Sequence, residues 1–401
     1  MSLDVLETLC DLVRIPSVNP MGRNLTGDEY YEHRVTAYLE ERFKALKLPY
    51  ERHTVSPLRD NILCRLDGSP TPENGGKILM LEAHQDTVPT FGMTIPPFEP
   101  ERIDDRIYGR GSCDIKGGLA AMLTAFTRLA KDRKKKRPTV ILACTVNEEH
   151  GFTGATHLAK MFSRVEGHPT SNLLPRAPDM CIVAEPTLLN VVTAHKGMAR
   201  WRCHTSGRAG HSSQPHLGDN AIYHMAHVLQ ALELYARDVV PHLAEHPLCG
   251  RPTLSVGLIS GGLSVNTIPD HCTVEIDRRI LPENDPQQAW QHAVDYINAV
   301  IPAGTPVVHD SPFMFTRGLP DAANGDLAAA LSEAAQGCEA PGAIVGVPYG
   351  TDAPHYAAAG APSVVFGPGS IEQAHTADEW VATEQVERAA EVYYQFARRD
   401  G

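Results

Sequence analysis

The sequence predicts an α/β protein: a mostly parallel sheet flanked by helices, interrupted by a smaller two-layer α/β domain. Strand-length apolar runs alternate with helical periodicity through the first 190 residues. Those runs are apolar on both faces, as in a sheet buried between helix layers. Near residue 195 the texture changes to half-polar strands, and the first pattern resumes near 314.

The elements follow in order. Leu6, Leu9, Leu12 and Val13 have helical spacing and mark a helix over about 2–14, with a second over about 28–47. Asn61–Leu66 and Ile78–Ala83 read as strands, and Gly117–Lys131 as a helix. Thr139–Val146 and Met180–Ala184 are further buried strands. Gly197–Ser206 alternates like a half-exposed strand, and a helix is expected from Asn220 to about Arg237. Pro252–Ile259 and Thr273–Ile280 are strands, and Pro286–Val300 is helical. This β-α-β-β-α order suits a sheet with one covered face. After about 314 come small-residue helices and two short buried strands, Ala343–Val347 and Ser363–Phe366. The expected domains are therefore 1–194 with 314–401, and an inserted 195–313.

Composition narrows the function. The 401 residues hold 36 Lys+Arg against 48 Asp+Glu, a formal charge of −12. An acidic chain repels phosphate, so nucleic acid is not an expected partner. At 42% hydrophobic the chain is too apolar for global disorder. No run approaches the roughly 18 apolar residues of a membrane span. Nine scattered cysteines without a CxxC pair argue for a reducing compartment. The N-terminus lacks a basic start and apolar centre, so cytoplasm is the expected location. The basic run Lys131–Arg137 reads as a solvated helix end before Pro138.

Acids and histidines recur at the strand ends, where open α/β sheets place their sites. Ile78–Ala83 leads into His84-Gln85-Asp86. Residues i and i+2 of a strand share a side, so Asp86 could hold one ring nitrogen of His84 while the other faces a metal. Alone, this pair reads more readily as a surface histidine beside a solvated acid. Gly109, Gly111, Gly117 and Gly118 surround Asp114, in a loop matching neither phosphate-binding glycine pattern. Adjacent Cys113 reads as packing. Thr139–Val146 ends in Asn147-Glu148-Glu149-His150-Gly151. One of the two glutamates could ligate a metal while the other stays free as a base, although acids at a helix start also suit its dipole. Glu185 follows the next strand, and His375 lies near the C-terminus. Five strand-end features of one chemical kind point together to a metal site.

As a set, HQD, GRGSCDIKGG, NEEHG, AEP, HKG, GHSS and GPGSIEQAH resemble the zinc aminoacyl hydrolase and peptidase family. It groups acetylornithine deacetylase, succinyl-diaminopimelate desuccinylase, aminoacylase and glutamate carboxypeptidase. The likeness runs in order from about residue 5 to 390 and is strongest to the acetylornithine deacetylase branch. It implies two Zn²⁺ per subunit, with Co²⁺ or Mn²⁺ as substitutes. His84 and Glu185 would hold one ion, and Glu149 and His375 the other. Asp114 would bridge them, and a cis peptide would follow at Asp114-Ile115. Asp86 would orient His84, and Glu148 would be the general base acting on a bridging hydroxide. His211 would stabilise the oxyanion. Asn266, Arg279, Gly350 and Thr351 would contact substrate, with Asp352 flanking the site. The inserted domain would be a lid through which a homodimer forms.

The resemblance thus implies hydrolysis of an N-acyl amino acid, foremost N-acetylornithine. Succinyl-diaminopimelate, other N-acyl amino acids such as acetylcitrulline, and small peptides are rival substrates. A catalytically silent binding protein on the same scaffold would have lost ligands, and none is missing. A Rossmann-type cofactor enzyme fits the sheet but lacks the dinucleotide fingerprint. Asn147 stands where the family usually has Asp, and Gln85 where Thr or Ser is usual.

Overall fold

The computed structural model describes residues 3–134 and 136–400. It divides into two compact units. The first is Met1–Thr193 with Asp321–Val345 and Thr351–Gly401; the second is Ala194–Pro320 with Gly346–Gly350. The return comes later than the expected 314, because Met314–Thr316 pairs antiparallel with Met198–Arg200 inside the second unit.

The first unit is built on an eight-stranded sheet. Its spatial order is Tyr50–Ser56, Arg59–Leu66, Thr139–Thr145, Ile78–His84, Met180–Val183, Ser363–Val365, Val191–His195 and Ile344–Val347. The central four strands are mutually parallel. Tyr50–Ser56, Arg59–Leu66 and Val191–His195 pair antiparallel outside them. Ile78–His84 and Thr139–Thr145 are buried along their whole length, which is why they read as continuous apolar runs. Lys116–Lys131 packs against Val5–Val13 and Thr383–Ala397, and His33–Leu46 lays Val35, Leu39 and Phe43 into the same core. The Asp4 carboxylate accepts the Leu6 and Glu7 N–H groups and starts the first helix.

Local differences from expectation have physical causes. The second helix begins at His33 rather than 28, because Glu29–Tyr31 trade backbone hydrogen bonds with Val18 and Tyr31 takes a φ of 67°. Of the first expected helix, residue 2 lies outside the described residues. Of the basic run, Lys135 does too, and Arg137 is buried rather than solvated, at 1% exposure. Thr153–Phe162 forms a helix that the sequence did not announce.

The second unit has an antiparallel sheet ordered Thr253–Gly261, His271–Ile280, Gly197–Ser206 and Val307–His309. Helices Ala221–Leu234 and Pro286–Val300 close one face over Trp201, Cys203, Met225, Val274, Ile276 and Ile297. The strand periodicity of two is visible in His271–Ile280, whose residues alternate between buried and less buried. Among the described residues, no helix is long and apolar enough to cross a membrane.

Candidate metal centre and hydrolytic site

Parallel pairing lines up the carboxyl ends of the central strands. His84 ends its strand directly opposite Thr145, so the Glu148–Glu149 pair leaves the sheet beside it. Glu82 aligns with Val183, which brings Glu185 to the same edge. Asp114 comes from the glycine loop just before helix Lys116–Lys131, and the Asp114–Ile115 peptide is cis. A Cβ on Gly117 would lie 2.6 Å from the Ser112 carbonyl oxygen, so this loop closes only around glycine. His375 sits in the loop after Ser363–Val365 with a φ of 62°, an uncommon backbone state for a histidine.

These side chains converge on Asp114. Its Oδ1 lies 3.2 Å from His84 Nε2, and its Oδ2 lies 3.3 Å from His375 Nε2. Glu149 Oε2 is 3.3 Å from the same His375 nitrogen, and Glu185 Oε1 is 3.9 Å from His84 Nε2. Ligand atoms bonded at about 2.0–2.1 Å to a tetrahedral ion stand roughly 3.3 Å apart, so these spacings are those of donors sharing a cation. His84, Asp114 and Glu149 form one cluster of that kind. The other Glu149 oxygen, Oε1, is buried with no hydrogen-bond partner among the described residues. Oxygen and imidazole donors without thiolate suit zinc, cobalt or manganese. Cys113 is not among the donors, because its thiol bonds the Ser370 carbonyl oxygen at 3.3 Å.

Charge points the same way. Asp86, Asp114, Glu148, Glu149 and Glu185 crowd two histidines. Burial pushes the Glu148 carboxyl well above the usual range, and the Glu149, Asp114 and Asp86 charges add to it. Glu185 is raised by burial and by Asp114 and Glu148. Against burial, hydrogen bonds to Asp114 and Glu149 lift His375 to about 11. His84 is also raised against burial, through Asp114 and Asp86. So many buried carboxylates beside two histidines make a site whose charge divalent cations would balance.

The surrounding shell adds detail to the expected pairing of Asp86 with His84. His84 Nδ1 is 3.0 Å from the backbone carbonyl oxygen of Asp86 and 3.6 Å from its carboxylate. The carbonyl therefore sets the ring's tautomer. The Asp86 carboxylate instead accepts the Glu148 and Glu149 N–H groups, each at 3.2 Å, and the Asn19 amide at 2.8 Å. Asn147, at a φ of 62°, accepts from Asn19 and donates to Thr153. Gln85 is fully buried and donates to the Asp60 and Cys144 carbonyl oxygens. Asp352 is buried too and accepts from the Thr145 hydroxyl at 3.1 Å.

Sequence reasoning missed the buried pair of Arg110 and Glu379, 2.6 Å apart, and the buried Arg59–Glu32 pair. Arg59 also donates to Asn19. No local pattern marks either pair, since their partners are remote in the chain.

The remaining expected residues fall partly in the second unit. There Gly210–His211 pairs with Thr267–Ile268, and Ser212 N–H bonds the Asn266 carbonyl oxygen, so His211 and Asn266 are neighbours. His211 is exposed, and its Nδ1 accepts the Ser213 N–H, leaving Nε2 to carry the proton of the neutral ring. Arg279 is held by Asp277, with Nε 2.9 Å from the carboxylate. Its strand neighbour Met198 lies within 2.9 Å of where a Cβ of Gly350 would be. Thr351 belongs to the first unit, is fully buried and accepts the Ala353 N–H.

Comparison with known proteins adds three findings. The sequence profile of Peptidase family M20/M25/M40 matches residues 80–399. Acetylornithine deacetylase of Vibrio cholerae serotype O1 is 32% identical over 409 residues, covering 97% of this chain and 96% of its own. Two solved structures share the fold. An M20 family metallo-carboxypeptidase from Sulfolobus solfataricus has a TM-score of 0.77 at 17% identity, covering 99% of both chains. A dinuclear metal binding peptidase of the M20 family from Bacillus subtilis has a TM-score of 0.65 at 16% identity, covering 98% of this chain and 96% of its own.

Proposed function

The chain belongs to Peptidase family M20/M25/M40 and is a metal-dependent amide hydrolase, and from that premise we propose that it deacylates N-acyl amino acids, with N-acetylornithine as substrate. The observation that carries the hydrolytic reading is Asp114, with one oxygen turned to His84 and the other to His375. The near-full-length likeness to the Vibrio cholerae deacetylase supports the choice of substrate.

In this reading His84, Asp114 and Glu185 would hold one zinc ion, and Asp114, Glu149 and His375 would hold another, with cobalt as a substitute. When bound, the ions supply Lewis acidity and make water in the site easier to deprotonate. Glu148 takes that proton on its carboxylate and returns it to the departing amine nitrogen. The Asp86 carboxylate supports Glu148 by holding the backbone of Glu148 and Glu149. His211 offers Nε2–H to the carbonyl oxygen as charge develops there. Arg279 exchanges Asp277 for the substrate carboxylate, a geometry guanidinium matches with two hydrogen bonds. Asn266, Gly350 and Thr351 line the substrate position.

The protein works as a homodimer joined through the second unit. Nine free cysteines suit a reducing cytoplasm.

The test is a substrate panel on zinc-loaded enzyme: N-acetylornithine, N-succinyl-diaminopimelate, acetylcitrulline and dipeptides. N-acetylornithine is expected to show the highest kcat/KM. Preference for another member reassigns the substrate, and no turnover of any member overturns the hydrolytic reading.

A further inference from the structure

Glu379 does not face the metal donors, yet it is fully buried and has more defined partners than any of them. Its Oε1 accepts the N–H groups of Cys113 and Asp114, each at 2.9 Å. Its Oε2 accepts the Gly111 N–H at 2.9 Å and the Arg110 guanidinium at 2.6 Å. Successive N–H groups aimed at one anion form a concave backbone cradle. Here the cradle is the loop that carries Asp114. Gly111 makes that curvature possible, with a φ of 83° and no room for a Cβ, which would lie 2.7 Å from Thr87 Cγ2.

Arg110 extends the same anchor. It is 2% exposed, and its Nη2 reaches the carbonyl oxygens of Pro89 and Thr376, at 3.3 and 3.4 Å. One ion pair therefore joins the three segments that present His84, Asp114 and His375.

We propose that Glu379, with Arg110, is the positioning residue that aims Asp114, and so sets the affinity of the two-ion site. This inference rests on the metal reading above. With the Gly111, Cys113 and Asp114 N–H groups fixed, the Asp114 carboxylate turns one oxygen to each histidine. Glu379 itself touches no metal and no substrate. A second layer of this kind commonly changes metal affinity by roughly 10–100-fold when it is lost.

The test uses E379Q, which keeps the volume but presents an NH₂ group to an N–H donor. Metal-free wild type and variant are titrated with Zn²⁺ in competition with a chromophoric chelator. Folding is followed by circular dichroism and by Tm without metal. Wild type is expected to take two ions. E379Q is expected to stay folded, to bind zinc roughly 10–100-fold more weakly, and to lose kcat with KM little changed. A merely structural role would lower Tm without metal and leave the zinc affinity of the folded protein where it was; that outcome overturns the proposal. If E379Q does not fold, R110K decides by the same readouts, since it keeps the charge and the three N–H contacts to Glu379. Wild type taking fewer than two ions would bring down the metal reading and this inference with it. Two ions in both proteins at equal affinity would bring down this inference alone.

Discussion

Glu148 has no hydrogen-bond partner for its carboxylate among the described residues, although it is 9% exposed and crowded by three other acids. A group left free in such a pocket is available to move a proton, whereas Glu149 and Asp114 are engaged with His375. Glu148→Gln keeps the shape and removes the basicity. It is expected to lower kcat by about 10²–10⁴-fold, the contribution of a positioned acid–base group. Metal analysis should still find the wild-type content, and activity that survived would send the search for a base elsewhere. At this scale the sequence was legible wherever chemistry sat at a strand end. His84, Glu148, Glu149 and Glu185 did, while Asp114 was marked by its glycine loop and His375 by the GPGSIEQAH segment. It was blind to Arg110 and Glu379, which meet across 269 residues. For Asp86 the spacing told the side of the strand but not whether carbonyl or carboxylate would serve the ring. The carboxylate was claimed by the backbone of the glutamate pair.

Elements were legible in proportion to how fully they are buried. Ile78–His84 and Thr139–Thr145 have helices or strands on every side, so selection of apolar residues is continuous along them. Tyr50–Ser56 lies at a sheet edge with alternating half-exposed residues, and Glu51, Arg52 and His53 disguise it as loop. In the second unit, strand Val307–His309 hides a titratable group in the same way. Its His309 accepts the Trp201 indole N–H on Nδ1 at 3.3 Å. Burial, with His204 nearby, lowers the ring's pKa to about 4. In the unfolded chain it returns to about 6.5. Between those values the unfolded state binds the extra proton, so stability falls as pH drops from about 6.5 to 4, by up to about 1.4 kcal/mol per unit. His309→Gln keeps an acceptor for Trp201 and has no proton to gain. Its urea midpoint should fall less than that of wild type across this pH window. An equal acid sensitivity in both proteins would assign it to other groups.

At the scale of the whole molecule, the net charge of −12 is unevenly spent, since five carboxylates are gathered at one site rather than spread over the surface. The second unit shows the opposite imbalance. Its strand Thr253–Gly261 is a sheet edge nine residues long, and edges that long are rarely left bare. Leu258 and Ile259 on it are 63% and 56% exposed, and Leu263 and Val265 beyond it are almost wholly exposed. Tyr223, on the neighbouring helix, is exposed as well. Edge backbone groups without a strand partner among the described residues, beside several exposed apolar side chains, are suited to a second copy of the same strand, which a two-fold axis would pair antiparallel. Hence wild type is expected to sediment as a dimer. Ile259→Lys places a charge on the patch, where two copies would face like charge to like charge, and should shift the boundary to the monomer. Activity then separates two versions of the enzyme. If His211 serves the partner's substrate, the monomeric variant loses turnover while keeping its zinc. If His211 serves its own chain, turnover per chain is unchanged. A wild-type protein that sediments as a fully active monomer would remove the version in which His211 serves the partner and leave the exposed edge without a partner.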